Sequence, residues 1–137
     1  MEEIYAIPLF PALAVRDLEV SLEFYREALG FKCIFAMPGP DGKPALVHLR
    51  WDKYADLLLT LLEEESRNPE PKGAGVSIHF SLQSRFEGDI RAFAARARDK
   101  GATVNDPVTR PWNTLEVSIL DPDGYRLVFN APVNPNP

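Results

Sequence analysis

The 137-residue chain has a single cysteine, Cys33, and only two histidines, His48 and His79. One cysteine excludes an intrachain disulfide and a zinc site built from several thiolates. The formal net charge is −5 and no dense run of Lys and Arg exists, so the sequence lacks the basic footprint of a nucleic-acid-binding protein. The longest apolar stretch, residues 57–62, is too short to span a bilayer. These absences predict a cytoplasmic protein that binds neither nucleic acid nor membranes.

Proline, in contrast, is abundant. The chain has 13 prolines, spread along its whole length, which is about twice the usual share of roughly 5%. Because proline lacks an N–H group and breaks helices, a bundle of long helices is excluded and many short elements are expected. The length suits one domain with a hydrophobic core that needs no disulfide or metal to hold it.

The pattern of apolar residues predicts the same order of elements twice. A strand at 10–15 is followed by a helix that Asp17 caps and Gly30 ends, and then by strands at 31–37, 45–51 and 57–62. After a charged, proline-bearing segment, a strand at 76–82 precedes a helix at 89–100 and three further strands, with a turn at 106–110.

This repeat predicts one domain over residues 1–137, made of module 1 (about 6–63), a linker (about 64–73) and module 2 (about 74–131). Neither half is long enough to close a good core alone. We therefore predict an α+β fold, in which two tandem βαβββ modules form a curved mixed sheet, a cup, with the helices on its convex side.

Three segments carry a family resemblance. The run AVRDLEVSLEFYREALGF (residues 14–31) resembles the opening of the vicinal oxygen chelate superfamily, which contains glyoxalases, extradiol dioxygenases and bleomycin resistance proteins. RPWNTLEVSILDPDGYRLVF (110–129) resembles its closing hairpin, and RDKGATV (98–104) resembles the end of its second helix. The resemblance implies the cup-shaped fold, a small-molecule ligand in the cup and a homodimer.

The resemblance also implies where the metal ligands of this superfamily would fall. The four positions are occupied here by Phe10, Leu58, Ser77 and Val128. None is His, Glu or Gln, and a divalent metal needs nitrogen or oxygen donors. We therefore expect no metal, no cofactor and no metal-dependent catalysis, as in the metal-free bleomycin-resistance-like members.

Two alternatives stay open. His48, His79 and Glu116 could provide relocated ligands for a metal-dependent lyase or dioxygenase. The protein could also be a non-catalytic interaction module whose cup is filled by its own side chains.

The metal positions mark the face of the sheet that would meet the ligand, since every second residue of a strand shares a face. The mild negative charge slightly favours a cationic ligand. Trp112 could contact the ligand or plug the end of the sheet, and Trp51 is expected in the core or an interface. Arg126 could contact the ligand or pair with Glu116. The predicted ligand-binding residues are Phe10, His48, Arg50, His79, Trp112, Glu116 and Arg126.

Overall fold

The computed structural model of the protein describes residues 7, 9–61, 73–82 and 90–133. The chain divides into two compact units between residues 69 and 70. The predicted linker at 64–73 lies outside the described residues except for residue 73. That the two units make up one domain remains a prediction.

The first unit contains one helical segment and one four-stranded sheet. The sheet order is β1-β4-β3-β2, in which β1 runs parallel to β4 and the other neighbours are antiparallel. The elements are β1 (Ala12–Val15), α1 (Leu18–Glu23), a π-helical continuation of α1 (Phe24–Ala28), β2 (Lys32–Pro38), β3 (Pro44–Asp52) and β4 (Ala55–Leu61).

The second unit repeats this plan. Its sheet order is β5-β9-β8-β6, with β5 parallel to β9, and β7 pairs with β8. The elements are β5 (Ile78–Ser81), α2 (Ile90–Asp99), β6 (Thr103–Val104), β7 (Val108–Thr109), β8 (Thr114–Leu120) and β9 (Arg126–Pro132). The prediction of a plain turn at 106–110 is wrong, because the β-branched Val108 and Thr109 pair with Glu116 and Leu115 of β8.

The shared strand order confirms the predicted α+β class and the two tandem βαβββ modules. Local signals explain the common plan. The Asp17 side chain accepts hydrogen bonds from the backbone N–H groups of Glu19 and Val20 (3.0 and 3.1 Å), so it caps α1 as predicted. The two helices end at Gly30 and Gly101, which both have a positive φ.

One face of each sheet packs against the helix of its own unit. In the first sheet this face carries Leu13, Val15, Val47, Leu49, Leu57 and Leu59, all of them buried. In the second sheet the ring of Phe129 stacks on Phe80 at 4.8 Å and lies 4.5 Å from Phe93 of α2. These apolar faces account for most of the stabilising burial in each unit.

The opposite face of each sheet, here called the open face, follows from the alternation of side chains along the strands. In the first sheet, His48 lies beside Leu58, and Arg50 lies beside Asp56. In the second sheet, His79 and Ser118 lie on either side of Val128, and Glu116 lies beside Asn130. The pairing registers thus place His48, Arg50, His79 and Glu116 on the open faces, as the family resemblance implied.

Candidate functional site

A pocket of about 340 Å³ lies on the open face of the second sheet. Small-molecule sites commonly have volumes of roughly 300–1,000 Å³, so this pocket is at the lower end of that range. Its lining combines two apolar side chains with charged and polar ones. The lining residues are Gly75, Val76, Ser77, His79, Arg110, Glu116, Arg126 and Val128.

Three neighbouring strands bring the lining together. His79 of β5 is paired directly with Val128 of β9, which in turn is paired with Ser118 of β8. Glu116 is two residues before Ser118, and therefore lies on the same face. The structure thus gathers the predicted residues His79, Glu116 and Arg126 in one pocket.

An ion pair within this pocket was missed from the sequence. The Nε–H of Arg110 donates to Oε1 of Glu116 over 3.0 Å, and the Glu116 residue is only 8% exposed. The expected pair of Arg126 with Glu116 does not form. Arg126 instead donates from Nη2 to the hydroxyl of Ser118 at 3.2 Å. Arg110 was not predicted because its position depends on the short strand β7.

A tight hairpin between β7 and β8 places Arg110 and Trp112. The backbone N–H of Asn113 donates to the carbonyl of Arg110, and the N–H of Arg110 donates to the carbonyl of Thr114. Pro111 has the φ that the first turn position needs, and Asn113 adopts a left-handed φ of 65°. Trp112 consequently lies at the tip of the hairpin and is 66% exposed. The alternative that it closes the end of the sheet as a buried side chain is therefore wrong.

The first module has the same type of turn at the corresponding place. Between β2 and β3, the N–H of Gly42 donates to the carbonyl of Gly39, and the N–H of Gly39 donates to the carbonyl of Lys43. Pro40 follows Gly39, and Gly42 takes the left-handed position with a φ of 82°. Asp41 therefore stands where Trp112 stands in the second module, so only the second hairpin presents an aromatic ring.

Polar groups on the open face of the first sheet form a separate cluster. Arg50 donates from Nε and Nη2 to the two carboxylate oxygens of Asp56, at 2.9 and 3.1 Å. The Nε2 atom of His48 lies 2.6 Å from Oδ2 of Asp56. Because the Asp56 side chain is only 1% exposed, it acts as the buried centre of this cluster. Asp56 was also missed, although a hairpin turning at residues 52–55 places Asp56 beside Arg50.

Phe10, Trp51 and the single cysteine lie at three different places in the first unit. Phe10 lies just before β1 in the first unit and is 45% exposed. Trp51 is buried at the end of β3, as expected for a core or interface residue. Cys33 lies in β2 and is exposed.

A serine and a histidine are hydrogen-bonded at the rim of the pocket. The Ser77 hydroxyl lies 2.9 Å from Nε2 of His79. A serine nucleophile also needs a third group that orients the histidine. In residues 73–82 and 90–133, no side chain supplies that hydrogen bond to His79. This pair does not form a catalytic triad with any described residue.

The donors present do not suit a divalent metal. Three of the four positions that the resemblance implies, Phe10, Leu58 and Val128, have no nitrogen or oxygen in their side chains. His79 and Glu116 both line the pocket, but the Glu116 carboxylate is already bonded to Arg110. Across the described ranges, no group of three His, Cys, Asp or Glu side chains could hold a metal ion.

Comparison with protein families gives a match over residues 9–129 to the Glyoxalase/Bleomycin resistance protein/Dioxygenase superfamily. The chain belongs to this superfamily. The match spans both βαβββ modules, and the resemblance found in the sequence is confirmed. No curated protein sequence matches this superfamily member.

Solved structures support the same assignment for this glyoxalase/bleomycin resistance superfamily member. An antibiotic binding protein, TnmS3 from Streptomyces sp. CB03234, is 26% identical, with a TM-score of 0.63 and coverage of 96% of this chain and 99% of that chain. A glyoxalase/bleomycin resistance protein from the same organism is also 26% identical, with a TM-score of 0.63 and coverage of 88% and 96%.

A structure of slightly lower sequence identity also shows the shared fold. An integron cassette protein from the mobile metagenome of the Halifax Harbour sewage outfall has a TM-score of 0.68 at 24% identity, covering 90% of this chain and 97% of that one. Among the described residues of this chain, no helix is long and apolar enough to cross a membrane.

Proposed function

We propose that the protein binds a small organic molecule without the help of a metal ion, in the pocket on the open face of the second sheet. The observation that carries this proposal is the replacement of metal-ligand positions by side chains that cannot ligate, above all Val128, which lines the pocket itself. Two of the positions at which the resemblance implies metal ligands, Ser77 and Val128, line this pocket, and Val128 has no donor atom.

The chemistry of the lining suits an organic ligand. Val76 and Val128 offer apolar surface, while Arg110, Arg126 and His79 offer hydrogen-bond donors that would fix a ligand's orientation. The antibiotic binding protein from Streptomyces supports this class of ligand, because it is 26% identical over nearly the full length of both chains. A drug-like compound or a metabolite is therefore the proposed ligand.

A thermal-shift screen with aromatic antibiotics, bleomycin among them, tests this proposal. The protein is screened before and after dialysis against EDTA. We expect at least one compound to raise the melting temperature, because a ligand that binds only the native state stabilises it by mass action. The rise should be equal in the two preparations. A rise that EDTA abolishes, or no rise with any compound, would contradict the proposal.

The alternative of a metal-dependent lyase or dioxygenase has one observation in its favour, the presence of His79 and Glu116 in one pocket. Two side chains fall short of the three protein ligands that catalytic metal sites usually have. Elemental analysis of the purified protein separates the two functions. One equivalent of zinc, nickel, manganese or iron per chain would favour the enzyme.

We also propose that the protein is a homodimer. Strand β2 ends the first sheet, and its Phe35 and Met37 side chains are 54% and 45% exposed. An apolar edge strand of this kind readily pairs with another chain. Sedimentation velocity should give the mass of two chains, and Phe35→Glu should shift the protein towards one chain. Val20→Glu, at an exposed valine of α1, is the control that should leave the dimer intact.

A further inference from the structure

We propose that the molecule bound in the second-module pocket carries a carboxylate next to an apolar body, and that Arg126 binds this carboxylate. The inference rests on the proposed function and specifies the ligand class of the same site. It runs against the expectation of a cationic ligand, which came from the net charge of the whole chain.

The charges that line the pocket do not balance. Two guanidinium groups, those of Arg110 and Arg126, stand against one carboxylate, that of Glu116. The hydrogen bond from Arg110 to Glu116 uses that carboxylate over a distance of 3.0 Å. One positive charge is left over, although the chain as a whole carries a net charge of −5. A ligand at contact distance responds to this local charge more than to distant surface charges, which salt screens.

Arg126 is the group that provides the surplus charge. Within the described ranges, no carboxylate forms a salt bridge with the Arg126 guanidinium. The hydroxyl of Ser118 is its hydrogen-bond acceptor. This contact uses Nη2, and Arg126 itself is an exposed residue of the pocket lining. A guanidinium has five N–H donors in a planar fork that matches the two oxygens of a carboxylate. Arg126 therefore has donors left for a bound anion.

The apolar surface needed for the rest of the ligand lies close by. Val76 and Val128 line the same pocket as Arg126. Trp112, with 66% of its surface exposed, stands two residues from Arg110 at the tip of the hairpin. An exposed tryptophan on the hairpin that carries Arg110 provides a flat surface for an aromatic ring. Together these groups favour an aromatic carboxylate as the ligand over a simple inorganic anion.

The test compares three probes of one shape and different charge: 1-naphthoate, 1-naphthamide and 1-naphthylmethylammonium. Each is titrated into the full chain, and binding is followed by isothermal titration calorimetry. We expect 1-naphthoate to bind at least about tenfold tighter than the neutral amide, since a charge-assisted hydrogen-bonded pair is stronger than a neutral one. The ammonium probe should bind more weakly than the amide.

Two variants identify the residue responsible. Arg126→Gln should abolish the preference for naphthoate over naphthamide, because the affinity for naphthoate should fall much more than the affinity for naphthamide. Arg126→Lys should restore only part of the preference, because an ammonium group lacks the planar fork. Arg96→Gln, at an exposed arginine of α2 away from the pocket, is the matched control and should keep the full preference. Thermal melting of each variant checks that it is folded.

Failure of the inference differs from failure of the proposed function. Equal or tighter binding of the amide or ammonium probe would overturn the anionic ligand, and an unchanged preference in Arg126→Gln would overturn the role of Arg126. Both results would leave a small-molecule site in place. If none of the probes and none of the screened antibiotics binds, the proposed function is wrong and the inference falls with it.

Discussion

Arg110 and Glu116 form a hydrogen-bonded ion pair across the β7–β8 hairpin, and this pair joins the hairpin to the pocket on the second sheet. The Glu116 side chain is 11% exposed and that of Arg110 is 40% exposed. Loss of the arginine would therefore leave a largely buried carboxylate without its partner.

The first prediction follows from this pair. Arg110→Gln should lower the free energy of unfolding by about 1–3 kcal/mol, because an unpaired buried charge retains its desolvation cost. Urea denaturation provides the measurement. The double variant Arg110→Gln/Glu116→Gln removes the lone charge and should recover most of the loss. If the double variant is less stable than the single one, the ion pair is not the cause.

A buried and an exposed Asp–Arg pair provide a second, matched prediction. Asp56 is bonded to Arg50 and His48 and its side chain is 1% exposed, whereas Asp106 pairs with Arg98 and is 98% exposed. Asp56→Asn should cost about 3 kcal/mol or more, since it removes the buried negative charge that Arg50 and His48 both contact. Asp106→Asn should change stability by less than about 1 kcal/mol. Similar effects for the two variants in urea denaturation would contradict the structure.

The two tryptophans should behave oppositely in fluorescence. Trp51 is 4% exposed and Trp112 is 66% exposed. In Trp51→Phe, the remaining emission should resemble tryptophan in water and be quenched readily by acrylamide. In Trp112→Phe, it should be shifted to shorter wavelength and resist quenching. Quenching of the same extent in both variants would contradict the exposed position of the hairpin tip.

The paired turns lead to a fourth prediction. Gly42 has a φ of 82°, and a side chain there would meet nothing within 4 Å. Its replacement should therefore cost only backbone strain. Gly42→Val should destabilise the protein by about 1–2 kcal/mol, and Gly42→Asn by clearly less, because asparagine tolerates the left-handed region. Thermal melting would show this order, and equal melting temperatures would argue against the left-handed turn.

Much of the fold could be predicted because its signals are local. Asp17 caps α1 through its own side chain, and the helices end at Gly30 and Gly101. Alternation in β8 predicted that Glu116 and Ser118 share one face of the strand, and the family resemblance implied which face it is. Such signals depend on residues only a few positions apart, so a single sequence contains them.

The partners inside the site were harder to predict because they depend on pairing between strands. Arg110 reaches Glu116 only because Val108 and Thr109 form a strand of two residues, a pattern too short to stand out from a loop. One of the two alternatives for Arg126 was a pair with Glu116, yet the register places Arg126 beside Leu120, and Ser118 receives its hydrogen bond. The pairing register of two strands is decided by tertiary packing rather than by local composition.

Native mass spectrometry of the protein incubated with 1-naphthoate and the aromatic antibiotics, before and after EDTA treatment, tests metal-free binding of a small organic molecule most directly. The account predicts a mass increase equal to one organic molecule per chain, with no metal increment and the same bound fraction after EDTA. A stoichiometric metal increment, with the organic molecule lost when EDTA removes the metal, would contradict it.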